Sequence, residues 1–191
     1  MDLGEAGERL RRGTVEVSVK EVGGSGSGVI VGSTGLIVTN AHVVRGRHPL
    51  IALSDGRRFP GRLVALAKRH DLALVKVDTV GLPAIAFGDS DTLRPGELVL
   101  AVGNPLGFTG AMSMGVVHAV GPVYGVGPNR WVQADVRLAP GNSGGPLADS
   151  RGRLVGVNTM IARGLALAIP GNVVRDFVAK ASAAAMRSKA A

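Results

Sequence analysis

Apolar residues recur at every second position through much of this chain. Thr14-Val15-Glu16-Val17-Ser18-Val19-Lys20 alternates apolar with polar, the signature of a strand with one buried face and one wet face. Strand-like runs continue at Leu36–Thr39, Leu50–Leu53, Gly61–Ala67 and Leu72–Val77, with Asp55-Gly56 as a hairpin signal. The segment Gly23-Gly24-Ser25-Gly26-Ser27-Gly28 reads as a turn into Val29-Ile30-Val31. It lacks the G-x-G-x-x-G spacing and precedes a strand rather than a helix, which excludes a phosphate-cradling loop. About six strands thus precede residue 80, enough for one barrel.

A second series follows at Glu97–Val102, Ala111–Val120, Trp131–Ala134, Pro146–Ala148, Arg153–Asn158 and Leu165–Ile169, after a linker at Val80-Gly81-Leu82-Pro83. From Asn172 the period becomes helical. Val173, Val174, Phe177, Val178 and Ala181 recur at i, i+3 and i+4, with Asn172 as N-cap, which predicts an amphipathic helix packed on the second barrel. Residues before Thr14 are polar and read as a frayed start. The expected fold is therefore all-β: two packed six-stranded antiparallel barrels over residues 1–80 and 81–170, then a C-terminal helix over 171–191.

Composition sharpens this. The 191 residues are 46% hydrophobic but only 3% aromatic, so the interior is built from Val, Leu, Ala and Ile. The 29 glycines and 10 prolines fit frequent turns between short strands. There is no cysteine, so the core alone must hold the fold. The formal charge of +8 is carried by scattered arginines, densest at Arg9, Arg11 and Arg12, without interleaved aromatics; a nucleic-acid partner is not expected. No apolar run approaches the roughly 18 residues that cross a bilayer, so no membrane segment is expected. The start, Met1-Asp2-Leu3-Gly4-Glu5-Ala6, has no signal-peptide pattern, which leaves a cytoplasmic protein or one that has lost a leader.

The chemistry concentrates in Gly141-Asn142-Ser143-Gly144-Gly145-Pro146. A serine among glycines has few bulky neighbours, leaving its hydroxyl and the nearby N–H groups open to a ligand. Acyl transfer needs that pairing of nucleophile and oxyanion donors. The G-x-S-x-G pattern also fits the nucleophile elbow of an α/β-hydrolase, but that order puts a histidine after the serine. The four histidines, His42, His48, His70 and His118, all precede Ser143. The order His, Asp, Ser stays open, with His42 after the apolar run Ile37-Val38-Thr39 and Asp71 at the mouth of Leu72–Val77.

Thr39-Asn40-Ala41-His42-Val43-Val44, His70-Asp71-Leu72-Ala73-Leu74-Val75-Lys76-Val77 and Gly141-Asn142-Ser143-Gly144-Gly145-Pro146-Leu147 together resemble the trypsin-like protease domain of the HtrA/DegP serine proteases. Phe87-Gly88-Asp89-Ser90-Asp91, Ala101-Val102-Gly103-Asn104-Pro105-Leu106-Gly107 and Leu154-Val155-Gly156-Val157-Asn158-Thr159 extend the likeness over about residues 13 to 178. The resemblance implies a serine endopeptidase that needs no metal or cofactor, with His42, Asp71 and Ser143 as triad in a cleft between the barrels. A non-catalytic peptide-binding or chaperone-like module on the same fold is the alternative. The resemblance further implies an oxyanion hole from the N–H groups of Gly141 and Ser143, assisted by Asn142. Gly141 permits the peptide flip by which such loops switch.

Substrate is expected as an extended strand along Val157, Asn158, Thr159 and Met160. The primary pocket is expected between Leu138-Ala139-Pro140 and Met160-Ile161-Ala162. No carboxylate lies among the five residues before Gly141, so a preference for Lys or Arg is not expected; Arg137 and Arg163 are expected to face solvent. The implied role is protein quality control on unfolded polypeptide, in the cell envelope or periplasm if a leader was removed. The N-terminal segment lacks the aromatics that the resemblance leads one to expect in HtrA trimers, so a homo-oligomer is possible but not supported by that segment, and the resemblance is expected to stop at the protease domain, without a PDZ domain.

Overall fold

The structure is a computed structural model describing residues 2–19, 24–44 and 48–190. Lys20 and Gly23, which the sequence reading placed in a strand and a turn, lie outside the described residues. The expected all-β pair of sheets with a terminal helix is present. The first sheet contains β1 (Thr14–Val19), β2 (Gly24–Gly32), β3 (Leu36–Asn40), β4 (Leu50–Ala52), β5 (Arg58–Pro60), β6 (Arg62–Ala67) and β7 (Leu72–Lys76). Among the described residues their order is β5-β4-β1-β2-β3-β7-β6. Only Gly61 separates β5 from β6, so one bent segment pairs with β4 at one end of the sheet and with β7 at the other. The sheet therefore curls on itself around Val15, Val17, Ile30, Ile37, Ile51 and Val75.

Six further strands close a barrel in the order β10-β13-β12-β11-β8-β9. They are β8 (Leu98–Gly103), β9 (Ala111–Pro122), β10 (Arg130–Ala134), β11 (Pro146–Asp149), β12 (Leu154–Ala162) and β13 (Leu165–Pro170). Small residues fill its interior: Val99, Ala101, Val117, Val132, Ala134, Ala166 and Ala168. Bulky aromatics would not fit so narrow a tube, which accounts for their scarcity. A third apolar cluster joins the two units, with Val29, Val38 and Leu72 of the first sheet against Leu100, Val102, Leu154, Val157 and Leu167 of the barrel.

Three local expectations need correcting. The glycine-rich stretch from Gly24 is part of β2 rather than a turn. Its glycines serve close packing: a Cβ on Gly28 would meet Ile37 Cγ2 at 2.9 Å and Val17 Cγ2 at 3.0 Å. The start of the chain is not frayed but forms α1 (Leu3–Gly13), capped where Asp2 Oδ1 accepts the Gly4 N–H at 2.8 Å. Its apolar stripe is short, Ala6 and Leu10, but both are fully buried against the cluster that joins the units. Arg9 Nη2 adds a bond to the Arg151 carbonyl at 3.2 Å.

The third correction concerns α2 (Gly171–Ala190), where Asn172 sits in the first turn instead of capping it. Its Nδ2 donates to Asp89 Oδ1 at 2.7 Å and Asp91 Oδ2 at 2.9 Å, and its N–H to Ser90 Oγ at 3.1 Å. The Asn172 amide, first, and the Asp91 N–H hold the Asp89 carboxyl below its ordinary range. The helix touches β12 and β13 and also β6 and β7, so it spans both units instead of packing on the barrel alone.

Because Leu10 is fully buried, Leu10→Ala is expected to cost about 2–5 kcal/mol. Urea unfolding checks this; a loss below about 1 kcal/mol would mean that α1 rests only loosely on the barrel.

Candidate active site

The ladder between β3 and β7 ends with Asn40 opposite Leu72. Just past the two ends, His42 and Asp71 emerge side by side. Asp71 sits at φ 51°, a left-handed conformation that Asp tolerates better than most residues. It follows a 3₁₀ turn at Lys68–His70, and that twist turns the carboxylate towards His42. Asp71 Oδ2 lies 2.6 Å from His42 Nδ1, and Oδ1 accepts the His42 backbone N–H at 2.9 Å. With the carboxylate ionised, Nδ1 carries the ring proton and Nε2 is left as an acceptor. The Asp71 carbonyl accepts from the Ala41 N–H and from Asn40 Nδ2, each at 3.0 Å.

Ser143 comes from the loop joining β10 to β11. Its Oγ donates to the Thr159 carbonyl at 3.0 Å, and its own carbonyl accepts the Ser27 N–H at 2.8 Å. Ser143, His42, Gly141, Pro140, Val43, Gly24 and Ser25 line one cavity of about 260 Å³. The cavity thus gathers a hydroxyl, an imidazole and a glycine-rich backbone from two separate sheets. Asn40, fully buried, spans the junction by also donating to Thr159 Oγ1 at 3.0 Å.

Gly141 has φ +106°, a conformation closed to most L residues, and a Cβ there would lie 2.8 Å from Pro105 Cα. The N–H groups of Gly141 and Ser143 have no protein acceptor among the described residues. Asn142 is placed differently from expectation. Its N–H and its Nδ2 both donate to the Ala139 carbonyl, at 3.0 and 3.2 Å, so it braces the loop instead of facing the cleft.

The edge offered to an extended ligand starts later than expected. Val157 is buried and paired with Pro146, while the Asn158 backbone bonds Gly144 and Gly145. Beyond them, among the described residues, β12 pairs only with β13; on its other edge the carbonyl of buried Thr159 is held by the Ser143 hydroxyl alone, and Met160, Ile161 and Ala162 are open, with Met160 and Ile161 exposed. The proposed pocket walls are only partly turned to the cleft. Pro140 lines the cavity, but Leu138 packs towards the barrel interior and Ala162 against the cluster joining the units. Ala139 is half-buried beside them.

Arg137 is exposed, and Arg163 turns away, its Nη2 donating to the Tyr124 carbonyl at 3.3 Å with the guanidinium 6.0 Å above the Tyr124 ring. The competing polar residues stand elsewhere. His48, His70, His118, Asp78 and Asp135 are exposed, and Asp89 and Asp91 hold α2. No cluster of His, Asp or Glu suited to a metal ion occurs among the described residues.

The fold has counterparts among known proteins. The trypsin-like peptidase domain family matches residues 26–157. The putative serine protease HhoB of Synechocystis is 42% identical over 156 residues, covering 77% of this chain and 38% of the relative. A probable periplasmic serine endoprotease, DegP-like, of Pseudomonas putida is 41% identical over 168 residues, covering 82% and 35% respectively. The chain thus spans little more than a third of the length of these relatives. Among solved structures, the HtrA-type protease AlgW with a tripeptide superposes with a TM-score of 0.86 at 34% identity, over 92% of this chain and 62% of that one.

Proposed function

The chain belongs to the trypsin-like peptidase family, and on that premise we propose that it is a serine endopeptidase of HtrA type. The observation that carries the proposal is the single cavity shared by His42, Gly141 and Ser143, with Asp71 on the far side of the His42 ring. In this reading Ser143 Oγ attacks the scissile carbonyl while His42 Nε2 takes its proton, then returns it to the leaving amine. Asp71 keeps His42 in the tautomer whose Nε2 accepts, and stabilises the imidazolium. The unengaged N–H groups of Gly141 and Ser143 receive the oxyanion. Hydrolysis of the acyl-enzyme repeats the sequence with water. Residues up to about 80 supply the base and its carboxylate, and the following barrel supplies the nucleophile.

An open edge at Thr159–Ala162 accepts main chain as an added strand, which only extended polypeptide offers. The proposed substrates are therefore unfolded or exposed segments, consistent with a role in protein quality control. Relatives named as periplasmic suggest the periplasm or cell envelope as the site of action. No helix among the described residues is long and apolar enough to cross a membrane. Incubation with unfolded casein, with and without a serine-protease inhibitor, tests the activity. A fluorophosphonate should label Ser143 in the folded chain. An unlabelled, inactive chain would instead favour the peptide-binding alternative.

Specificity follows from the lining. Pro140, Met160 and Ile161 offer no carboxylate, so burying a Lys or Arg head group there costs several kcal/mol, whereas a Val or Ala side chain gains about 1–2 kcal/mol. Cleavage after small aliphatic residues is the expected outcome of peptide-library profiling. A dominant preference for basic residues would sink this pocket, and a preference for acidic ones would put Arg137 or Arg163 inside it.

A further inference from the structure

Ser27 lies in the middle of β2, in the first sheet, with no exposed surface. Its hydroxyl donates to the Gly141 carbonyl at 2.7 Å and accepts the Asn104 N–H at 2.8 Å, with Asn104 Nδ2 at 3.3 Å. One donor and two lone pairs are thereby all engaged. The partners are not incidental. Gly141 lines the cavity with an N–H that has no protein acceptor among the described residues, and Asn104 backs onto it: a Cβ on Gly141 would lie 3.1 Å from the Asn104 carbonyl carbon. The same peptide group is held at its other end, where the Asn142 N–H donates to the Ala139 carbonyl. The Gly141–Asn142 peptide is therefore clamped at both its C=O and its N–H, and the C=O clamp comes from the opposite sheet.

We propose that Ser27 is a positioning residue for the oxyanion hole. Through its hydroxyl the first sheet fixes the Gly141 carbonyl, and with it the place of the Gly141 Cα from which the N–H is presented. The rotation by which this N–H turns in or out is then confined to the Pro140–Gly141 peptide, because the peptide on the other side is pinned. The inference rests on the serine-peptidase reading above. It adds to that reading a residue that touches neither substrate nor the reacting atoms.

Ser27→Ala leaves the Gly141 carbonyl and the Asn104 N–H without their shared partner. Hydrogen bonds to the transition state depend on donor placement to within a few tenths of an ångström, whereas ground-state peptide binding along Thr159–Ala162 does not involve this hydroxyl. The expected result is a fall in kcat of about 10- to 100-fold with KM changed less than about threefold. A peptide aldehyde, which adds to Ser143 and places an oxyanion in the hole, should lose affinity by a similar factor. The matching peptide amide should bind to the Ser143→Ala chain equally well with and without the Ser27 change.

Thr14→Val serves as control, since it removes another buried hydroxyl, bonded to the Leu10 carbonyl at 2.7 Å, far from the cleft. It should lower stability and leave kcat and aldehyde affinity intact. If Ser27→Ala does not fold, Ser27→Cys keeps the volume with a weaker donor and should show the same kcat-selective loss, smaller in size. A folded Ser27 variant with wild-type kcat and aldehyde affinity overturns the proposal, as does an equal loss of kcat in Thr14→Val. A wild-type chain with no Ser143-dependent cleavage defeats the peptidase reading itself, a different result from an active wild type indifferent to Ser27.

Discussion

Ser143→Ala is expected to lower turnover of unfolded protein by about 10⁴- to 10⁶-fold while leaving the fold in place. The structure explains both halves. Within the fold, the Ser143 hydroxyl makes one bond, to the Thr159 carbonyl, and the position is half-buried, so its loss costs about 1 kcal/mol and opens no significant cavity. For chemistry, Ser25 carries the only other side-chain hydroxyl among the described residues that line the cavity, and it stands on β2, outside the glycine loop that supplies the donors. The residual rate should be what the N–H groups and bound water deliver alone. Steady-state kinetics on casein or an unfolded peptide, with circular dichroism as the folding check, decide the matter. Turnover within tenfold of wild type would mean that another group is the nucleophile.

Asp71→Asn should cost about 10⁴ in turnover. An amide at this position can donate to His42 Nδ1, which moves the ring proton to Nε2 and leaves the imidazole unable to accept from Ser143. Backbone disturbance should be small, because Asn also tolerates φ 51° and the Asp71 carbonyl keeps its bonds to Ala41 and Asn40. Asp78→Asn and Asp135→Asn are the comparison, both exposed and away from His42, and neither should change turnover more than a few-fold. A dead Asp78 or Asp135 variant beside an active Asp71 variant would assign the carboxylate elsewhere.

The parts of the site that could be read from the sequence are those in which one short segment carries both a strand and a functional group. Thr39–His42 and Asp71–Val77 are of that kind, because an apolar β-branched run sets the strand and the polar residue at its end marks the exit. Gly141–Gly145 is readable for a related reason, a glycine density that no ordinary turn needs. Ser27 is hidden by the glycines on either side of it. Gly26 and Gly28 leave room for Val43 and Ile37, which are distant in sequence, so a packing requirement looked like a turn. The Asn142 amide and the buried Val157 depend on how the loop and β11 close, which no local pattern encodes. Of its apolar side chains the helix α1 buries only Ala6 and Leu10, too short a stripe for periodicity to register, and its partners lie in β8 and β9 as well as in the adjoining β1.

That last placement bears on the order in which the molecule assembles. Arg9 meets Arg151 across 142 residues, and a Cβ on Gly7 would touch Met112, whereas the pairs β2–β3, β8–β9 and β12–β13 join neighbouring strands. Closing so long a loop is entropically unfavourable until the barrel that receives the helix exists, so α1 is expected to dock after the rate-limiting barrier. The stability lost in Leu10→Ala should then fall on the unfolding rate and leave the folding rate nearly unchanged. In that order α1 is the latch that closes a fold already formed.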